Sequence, residues 1–478
     1  MSPHPLSLSG SIRHLVHQAW PVLVGQWAGI ALGVLDTAMT GHASAVDLAA
    51  MSLSVSIYIT VFVGLMGIVH ALIPILAHHY GARQFPEVGA AWGQGVWLAL
   101  TLSVIGGTIL LFPGAWLSLS GDVEPAVRAR IDGYLTTLAV ALPAALVFRT
   151  MHSLGAAVSR PQLIMWINLL GVLLKAFFNW VLIFGHFGMP ALGAVGAGIS
   201  TALVFWISVA VAGLTMRRDT YYAKFGLRLG RPHWPTLRTL LRLGLPMGGS
   251  YLVEVAAFTF MALIVAREGV VVMGAHQISA NVAALCYMAP MAIGIATAAQ
   301  TGQALGARQF RQAIVFGRAG ILLTAGAAIV TVLLVLTGRG WIVQAYTDNA
   351  QVAAAAFALL AIVPAFHMAD SAQTLVIYLL RAYKVALVPM LVQIAALGGV
   401  GLVGGWLVAF GPQAELLEPL IRIWSPHAPA GAAAMWIMAT VGMVLSLIAL
   451  LPVYGYVVRE YPRQHRAARV SGSARGNT

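Results

Sequence analysis

Three acidic residues lie well inside apolar stretches of the chain, where a carboxylate cannot reach water along a helix. They are Asp36, Glu254 and Asp370, and the other acidic residues fall in loops or near the ends of apolar stretches. A charged side chain at the centre of a bilayer costs about 2.5–3.5 kcal/mol on insertion scales, so such residues mark functional sites. We expect these carboxylates to bind protons, metal-like cations or organic cations.

Two uncharged side chains are expected near Glu254 and Asp370. Gln373 follows Asp370 at the spacing of one helical turn, so the two side chains share a helix face. Tyr287, mid-way along another apolar stretch, can turn its ring or hydroxyl towards a cation held by the two acids, or it is an ordinary packed aromatic. If the coupling cation is sodium, Glu254 and Asp370 are its predicted ligands.

A lysine is expected to accompany Asp36. Lys175 and Asn179 lie one turn apart, in the same outer half of the bilayer as Asp36. An unpaired lysine there would lose its proton, whereas a lysine beside a carboxylate stays charged. We predict a direct or water-bridged Asp36–Lys175 pair, with extension of Lys175 towards the outer interface as the alternative. Arg149 is nearer the cytoplasmic end of its span and is expected to extend in that direction.

Several catalytic patterns are missing from the sequence. None of the three lysines follows a glycine, so the chain has no phosphate-binding GxxxxGK[ST] loop, and it has no HExxH or GxSxG motif. Cys286 is the only cysteine, which excludes an intrachain disulfide and a cysteine-based metal cluster. We therefore expect neither an enzyme nor a cofactor. Histidines in or near the spans are expected to pack and hydrogen-bond rather than carry protons: His70, His152, His276 and His367.

The composition indicates that these residues lie in a membrane protein. The 478-residue chain is 60% hydrophobic and 9% charged, whereas soluble proteins carry about 25% charged residues. Apolar stretches of about 20 residues or more recur along the whole chain. We predict an all-α polytopic membrane protein with twelve transmembrane helices, near 14–41, 52–77, 92–118, 131–157, 162–185, 190–216, 238–266, 273–303, 311–337, 351–380, 385–411 and 431–458.

The sequence contains an internal repeat. The run Gly-Ala-Arg-Gln-Phe at 81–85 recurs at 306–310, and Pro21 and Pro246 have the same separation of 225 positions. Six spans per half then give two pseudo-symmetric six-helix lobes in the same orientation. Transporters built from parallel repeats bind substrate between their halves and alternate access by rocking them. The alternative is a duplication that was kept only for packing.

Lysine and arginine are distributed unevenly over the two sides of the membrane. With the N-terminus in the cytoplasm, the cytoplasmic segments hold 20 of these residues and the external loops hold 5, which predicts that both termini are cytoplasmic. The net charge of +13 is then explained by attraction to lipid headgroups, without nucleic acid. The predicted organisation is a cytoplasmic N-terminus (1–13), an N-lobe (14–216), a basic linker (217–237), a C-lobe (238–458) and a cytoplasmic tail (459–478).

Several motifs resemble those of the multidrug and toxic compound extrusion (MATE) transporters, in particular the NorM-like branch. The resemblance runs from about residue 14 to 455 and depends on the order and spacing of motifs that are individually weak. These motifs are Asp36-Thr37-Ala38-Met39-Thr40-Gly41, Leu48-Ala49-Ala50, Gly81-Ala82-Arg83, Gly185-His186-Phe187-Gly188-Met189-Pro190, Leu192-Gly193, Gly244-Leu245-Pro246, Ala275-His276-Gln277, Asp370-Ser371-Ala372-Gln373 and Leu380-Arg381-Ala382-Tyr383-Lys384.

The resemblance implies a secondary antiporter that exports amphipathic, mostly cationic compounds in exchange for H⁺ or Na⁺. It also implies a bacterial cytoplasmic membrane, with small molecules and the bilayer as partners, and we expect a monomer. The family's first-lobe aspartate corresponds to Asp36, and its second-lobe cation site to Glu254, Tyr287 and Asp370. Lys175 departs from the asparagine usual in NorM-type proteins, and its ammonium can replace a bound cation beside Asp36.

Two other functions remain open from the sequence. A flippase or exporter of a lipid-linked or anionic metabolite would keep the architecture and need cations in its cleft, for which Lys175 and Arg149 are candidates. A membrane scaffold or receptor would not need acidic residues inside the spans. The three acids favour the exporter of cations.

Overall fold

The structure is a computed structural model that describes residues 7–117, 124–413 and 416–475. Every regular element in these ranges is helical. The α-helices are α1 (Leu8–Ala43), α2 (Ala45–Val69), α3 (Leu72–Gly81), α4 (Phe85–Leu111), α5 (Gly114–Leu117), α6 (Pro125–Ala157), α7 (Gln162–Phe184), α8 (Gly193–Arg218), α9 (Thr220–Ala223), α10 (Trp234–Val265), α11 (Val270–Gly306), α12 (Phe310–Tyr346), α13 (Ala350–Leu359), α14 (Val363–Ala382), α15 (Leu387–Gln393), α16 (Gly405–Phe410), α17 (Glu418–Trp424) and α18 (Ala430–Arg475).

The predicted number of membrane spans is confirmed in the described part of the chain. Eleven helical segments there are long and apolar enough to cross a bilayer. The bent pair α13 and α14 supplies a twelfth span if it is counted as one. The chain is therefore a multi-pass helical membrane protein.

Three predicted spans are not the continuous α-helices expected from hydropathy. The predicted span 52–77 is interrupted between α2 and α3, and the predicted span 351–380 bends by 46° between α13 and α14. Pro364 lies in the first turn of α14, where its missing N–H costs no helical hydrogen bond. In the predicted span 385–411, the glycine-rich segment Ile394–Gly404 forms a π-helix between α15 and α16. Hydropathy reports the length of an apolar stretch and not the course of its backbone.

The internal repeat reappears in the backbone geometry. Arg83 and Arg308 end corresponding helices with φ angles of 59° and 58°. Ser159 and Lys384, again 225 positions apart, both have a φ angle of 62°. Left-handed conformations are uncommon for residues other than glycine, so their recurrence at matched positions indicates two copies of one architecture.

The helices pack into two compact units. The N-unit consists of Trp20–Leu252, and the C-unit consists of Met1–Ala19 with Val253–Thr478. Both α1 and α10 therefore contribute residues to each unit.

An acidic side chain caps the N-terminus of α8 in the N-unit and the N-terminus of α18 in the C-unit. In the N-unit, Asp47 accepts a hydrogen bond from the Ala194 N–H at 3.1 Å and pairs with Arg130. In the C-unit, the Glu268 carboxylate accepts from the N–H groups of Gly431 and Ala432 at 3.0 and 2.7 Å. A carboxylate at a helix N-terminus satisfies otherwise unpaired donors and complements the helix dipole. Both acids thus stabilise the fold.

The basic linker is anchored to α4 within the N-unit. The Gln94 side chain donates to the Arg231 carbonyl at 2.9 Å and accepts from the His233 N–H at 2.7 Å. The Trp97 indole donates to the Gly230 carbonyl at 2.7 Å. Gly89 lets the linker approach closely, because a Cβ there would overlap the Phe225 carbonyl oxygen.

Cation–aromatic contacts fix the same part of the linker. The Lys224 ammonium lies 3.7 Å from the Tyr221 ring centroid and 4.9 Å from that of Phe85. The Arg160 guanidinium carbon lies 3.9 Å from the Tyr221 ring centroid. Partial burial and the charge of Arg160 together lower the pKa of Lys224. The linker is therefore packed against the helices of the N-unit.

Gly89→Ala is expected to lower the free energy of unfolding by about 1–3 kcal/mol, because the new methyl group meets a backbone carbonyl that cannot easily shift. Gly107→Ala in the same helix is the matched control, since an added Cβ there meets nothing within 4 Å. Removing this second glycine should be neutral or stabilise by up to about 1 kcal/mol. Thermal unfolding of the purified variants measures the difference, and equal midpoints would contradict the close linker contact.

Candidate functional site

The acids of the C-unit lie on different helices. Glu254 is on α10 and Asp370 is on α14, and they are close enough to interact electrostatically. The Tyr287 hydroxyl, on α11, donates a hydrogen bond to the Glu254 carboxylate. Arg381 acts on Glu254 electrostatically. Among the described residues neither acid has an ion-pair partner in contact.

The neighbours of Asp370 differ in part from those expected. Asp370 is 3% exposed and accepts a hydrogen bond from the Thr374 hydroxyl, one turn further along α14, at 3.3 Å. Gln373 instead donates to the Ser446 hydroxyl on α18 at 2.8 Å. Sequence spacing identifies residues on one helix face but not a competing partner on another helix. Thr374 was missed because a threonine in a span is also a common packing residue.

Glu254 lines an apolar cavity within the C-unit. Its other lining residues are apolar: Ala257, Phe258, Met261, Phe366, Leu397, Gly401, Leu402, Met435, Ala439 and Met443. Methionine side chains adapt to different shapes, and aromatic ring faces attract cations. The cavity combines one carboxylate with an adaptable apolar wall.

In the N-unit, the predicted Asp36–Lys175 pair is present as a direct contact. The Lys175 Nζ lies 2.8 Å from Asp36 Oδ1, and Lys175 is 1% exposed. The ammonium also donates to the Ala197 carbonyl at 2.9 Å and to the Thr201 hydroxyl at 2.5 Å. An ammonium has three donors, so its hydrogen-bonding capacity is fully used. Extension of Lys175 towards the outer interface is excluded in this structure.

Asn179 completes the environment of Asp36. Its side-chain amide donates to Asp36 Oδ1 at 2.8 Å, and the Thr201 hydroxyl lies 3.5 Å from Asp36 Oδ2. Thr201 was not identified from sequence, because it lies on α8 and no spacing rule connects α8 to Asp36. The carboxylate is thus surrounded by the protein's own donors.

The Arg149 side chain packs over an aromatic ring. Its guanidinium carbon lies 5.6 Å from the Phe62 ring centroid, and its Nε is buried. The sequence interpretation missed the aromatic neighbour, which lies on α2. Three of the four histidines pack on rings: His70 stacks on His152 with ring centroids 6.1 Å apart, and His276 lies 5.8 Å from Trp436. His367 Nε2 lies 3.4 Å from the Ser371 hydroxyl, whereas Nδ1 of His152 and of His276 has no hydrogen-bond partner among the described residues.

Duplicated units of membrane-spanning helices, with acidic residues inside the spans, are typical of secondary transporters. The MatE family model matches residues 21–181 and 246–407, two ranges that begin at Pro21 and Pro246. The chain belongs to the MatE family and is therefore a transporter rather than an enzyme.

Relatives and solved structures are similar over nearly the full chain. A probable multidrug resistance protein NorM of Aromatoleum aromaticum is 35% identical, with 94% of each chain covered. A protein of the same description from Neisseria meningitidis serogroup B is 32% identical over 95% of this chain and 96% of its own. The eukaryotic MATE transporter AtDTX14 has the same fold, with a TM-score of 0.84 at 18% identity, covering 96% of this chain and 99% of its own.

Lys175→Met is expected to destabilise the protein by about 3–5 kcal/mol, because it leaves Asp36 buried without its counter-charge. Replacing both partners, as Lys175→Met with Asp36→Asn, should recover most of this loss, since no unpaired charge remains. Thermal unfolding in detergent measures both effects, with Lys384→Met at an exposed position as control. A single variant as stable as the wild type would contradict the ion pair.

Proposed function

We propose that this transporter is a secondary antiporter that exports amphipathic, mostly cationic organic compounds in exchange for H⁺ or Na⁺. The observation that carries the proposal is the apolar cavity of the C-unit with Glu254 in its wall. Relatives named multidrug resistance proteins support drug export. Export would proceed by alternating access between the two lobes.

The cavity favours substrates that are selected by charge and hydrophobicity rather than by detailed shape. Glu254 attracts a cation strongly, because Coulomb interactions are less screened in an apolar environment than in water. Phe258 and Phe366 offer ring faces to the same cation, and Met261 and Met435 can adapt to its apolar part. Because the cavity has few polar groups, it discriminates little between compounds of similar size.

The coupling cation would act at Glu254 and Asp370. Two neighbouring carboxylates repel one another when both are charged, so a proton or a sodium ion at the pair is stabilised. The Tyr287 and Thr374 hydroxyls add neutral oxygens beside them. No group of three or more His, Cys, Asp or Glu in the described residues could hold a metal ion, so a sodium site here would depend on these mixed oxygens. Arrival of the coupling cation would neutralise the charge that holds the substrate.

The Asp36 centre would respond to protons and not to sodium. Its ammonium partner already occupies the position of a bound cation, with all three donors used. A proton on Asp36 would weaken the pair with Lys175. Asn179 Oδ1 is buried without a hydrogen-bond partner among the described residues, and after a half-turn of the amide it could accept from the protonated acid. Asp36, Lys175 and Asn179 are thus proposed as a second coupling element.

We further propose that the protein lies in a bacterial cytoplasmic membrane as a monomer, with both termini in the cytoplasm. The excess of 20 basic residues over 5 on the assigned cytoplasmic side supports this orientation. A reporter that is active only in the cytoplasm, fused to the C-terminus, tests this orientation. The fusion is expected to be active. An inactive reporter on a correctly inserted protein would show that the C-terminus lies on the other side of the membrane.

Glu254→Gln and Asp370→Asn are each expected to reduce export of a cationic dye by at least about thirtyfold, equivalent to about 2 kcal/mol. Each variant removes a buried charge that would bind the substrate or the coupling cation. The measurement is dye transport by purified variants in liposomes. The control variants are Glu418→Gln, at a half-buried position, and Asp348→Asn, at an exposed position of the same unit. Normal transport by either buried-acid variant, with correct folding, would overturn the assignment.

A further inference from the structure

The basic linker contains a short segment in which arginines stand beside exposed apolar side chains. In the run Arg228-Leu229-Gly230-Arg231 both arginines are exposed, and Leu229 is 52% exposed. Trp234, at the start of α10, is 65% exposed. Large apolar side chains that are exposed beside basic ones are typical of a surface that binds a partner or a membrane. We refer to Arg228, Leu229, Arg231 and Trp234 as the linker surface.

Contacts with α4 fix the height of the linker surface relative to the bilayer. The Arg228 carbonyl oxygen would lie 2.5 Å from a Cβ atom at Gly93, and the Trp97 indole donates to the Gly230 carbonyl at 2.7 Å. The rest of α4, residues 98–111, contains no charged residue. Tryptophan is enriched where the headgroups meet the hydrocarbon core. The linker backbone therefore runs along α4 at the level of the lipid headgroups.

The linker is held through its backbone, so the arginine side chains stay available for a ligand. The Arg231 carbonyl accepts a hydrogen bond from the Gln94 side chain at 2.9 Å. The guanidinium groups of Arg228 and Arg231 form no ion pair with a described residue. The one acidic residue of the linker sequence, Asp219, pairs instead with Arg160 at 3.4 Å. The counter-charge for the two arginines must therefore come from outside the chain.

The chemistry of the linker surface fits a phosphate group that is attached to an apolar chain. A guanidinium presents a fork of N–H donors that matches the oxygens of a phosphate. At headgroup level, Leu229 and Trp234 would contact the glycerol and the upper acyl chains of a lipid. A soluble phosphate compound would leave both apolar side chains in water. Charge and apolar exposure together select an anionic phospholipid as the ligand.

We propose that Arg228, Leu229, Arg231 and Trp234 form a binding site for an anionic phospholipid, with the two guanidinium groups as donors to the lipid phosphate. In the orientation proposed above, the lipid belongs to the cytoplasmic leaflet. A general attraction between a basic chain and lipid headgroups requires no particular residues, whereas this site depends on these four. The site goes beyond the proposed antiport and does not depend on it.

The test measures the binding of defined lipids to the purified full-length protein in a neutral detergent by native mass spectrometry. Phosphatidylglycerol and phosphatidylcholine with identical acyl chains are titrated separately, and the wild type is expected to bind phosphatidylglycerol more tightly. The double variant Arg228→Gln with Arg231→Gln should weaken phosphatidylglycerol binding by about ten- to thirtyfold, because each basic residue near an anionic surface contributes roughly fivefold. Its binding of phosphatidylcholine should change by less than about twofold.

Matched variants separate a defined site from diffuse attraction. Arg311→Gln with Arg318→Gln removes the same charge from exposed positions of the C-unit. This double variant should bind phosphatidylglycerol within about twofold of the wild type. Trp234→Ala should weaken phosphatidylglycerol binding by about three- to tenfold, because it removes apolar contact area. Trp166→Ala is its control, at a position of the N-unit that is 64% exposed, and should have no effect.

Selective loss of phosphatidylglycerol binding in the linker variants supports the site. An equal loss in the two double arginine variants would overturn it, because binding would then follow net charge alone. Inorganic phosphate or glycerol 3-phosphate is added as a soluble competitor, and little displacement is expected. Displacement as effective as that by unlabelled phosphatidylglycerol would show a site for a free phosphate and overturn the lipid site. Equal binding of both lipids by the wild type would also overturn it. Each of these failures leaves the proposed export function intact, since dye transport is measured separately.

Discussion

The structure depends on how each unit balances charges that are kept away from water. In the N-unit, Asp36 and Lys175 are within 2.8 Å of one another and use their remaining hydrogen-bonding capacity on Thr201, Asn179 and the Ala197 carbonyl. Such a pair offsets much of the cost of removing two charges from water, because each one stabilises the other. The protein thus places one of its own basic side chains against the Asp36 carboxylate.

The C-unit repeats the helix arrangement of the N-unit, but its two acidic residues are not paired with a basic side chain in the described part of the chain. The left-handed residues Arg83 and Arg308 show that corresponding helices end in the same way. Glu254 and Asp370 nevertheless have no ammonium in contact within the described part of the chain. Their charge can be neutralised by a proton, a metal-like cation or an organic cation. Two units with similar backbones therefore surround their acidic residues with different charges.

Sequence predicted the features that depend on composition, on repeated motifs and on the cost of a charge inside the bilayer. The twelve spans follow from apolar length, the repeat from matched motifs, and the Asp36–Lys175 pair from the cost of an isolated lysine in a bilayer. It did not predict the bend before α14, the Ser446 partner of Gln373 or the Phe62 neighbour of Arg149. Ser446 and Phe62 lie on helices far from their partners in sequence, and periodicity does not report such contacts.

The most direct test of cation-coupled export uses liposomes that contain only this protein and a cationic dye, with pH and sodium gradients imposed one at a time. The account predicts that at least one gradient drives dye movement, because the coupling cation and the dye compete for the Glu254 and Asp370 charge. A response to pH alone would assign coupling to protons, and a response to sodium alone would assign a sodium site to the C-unit acids. No response of the dye to either gradient would contradict the account and favour an exporter of lipid-linked or anionic compounds.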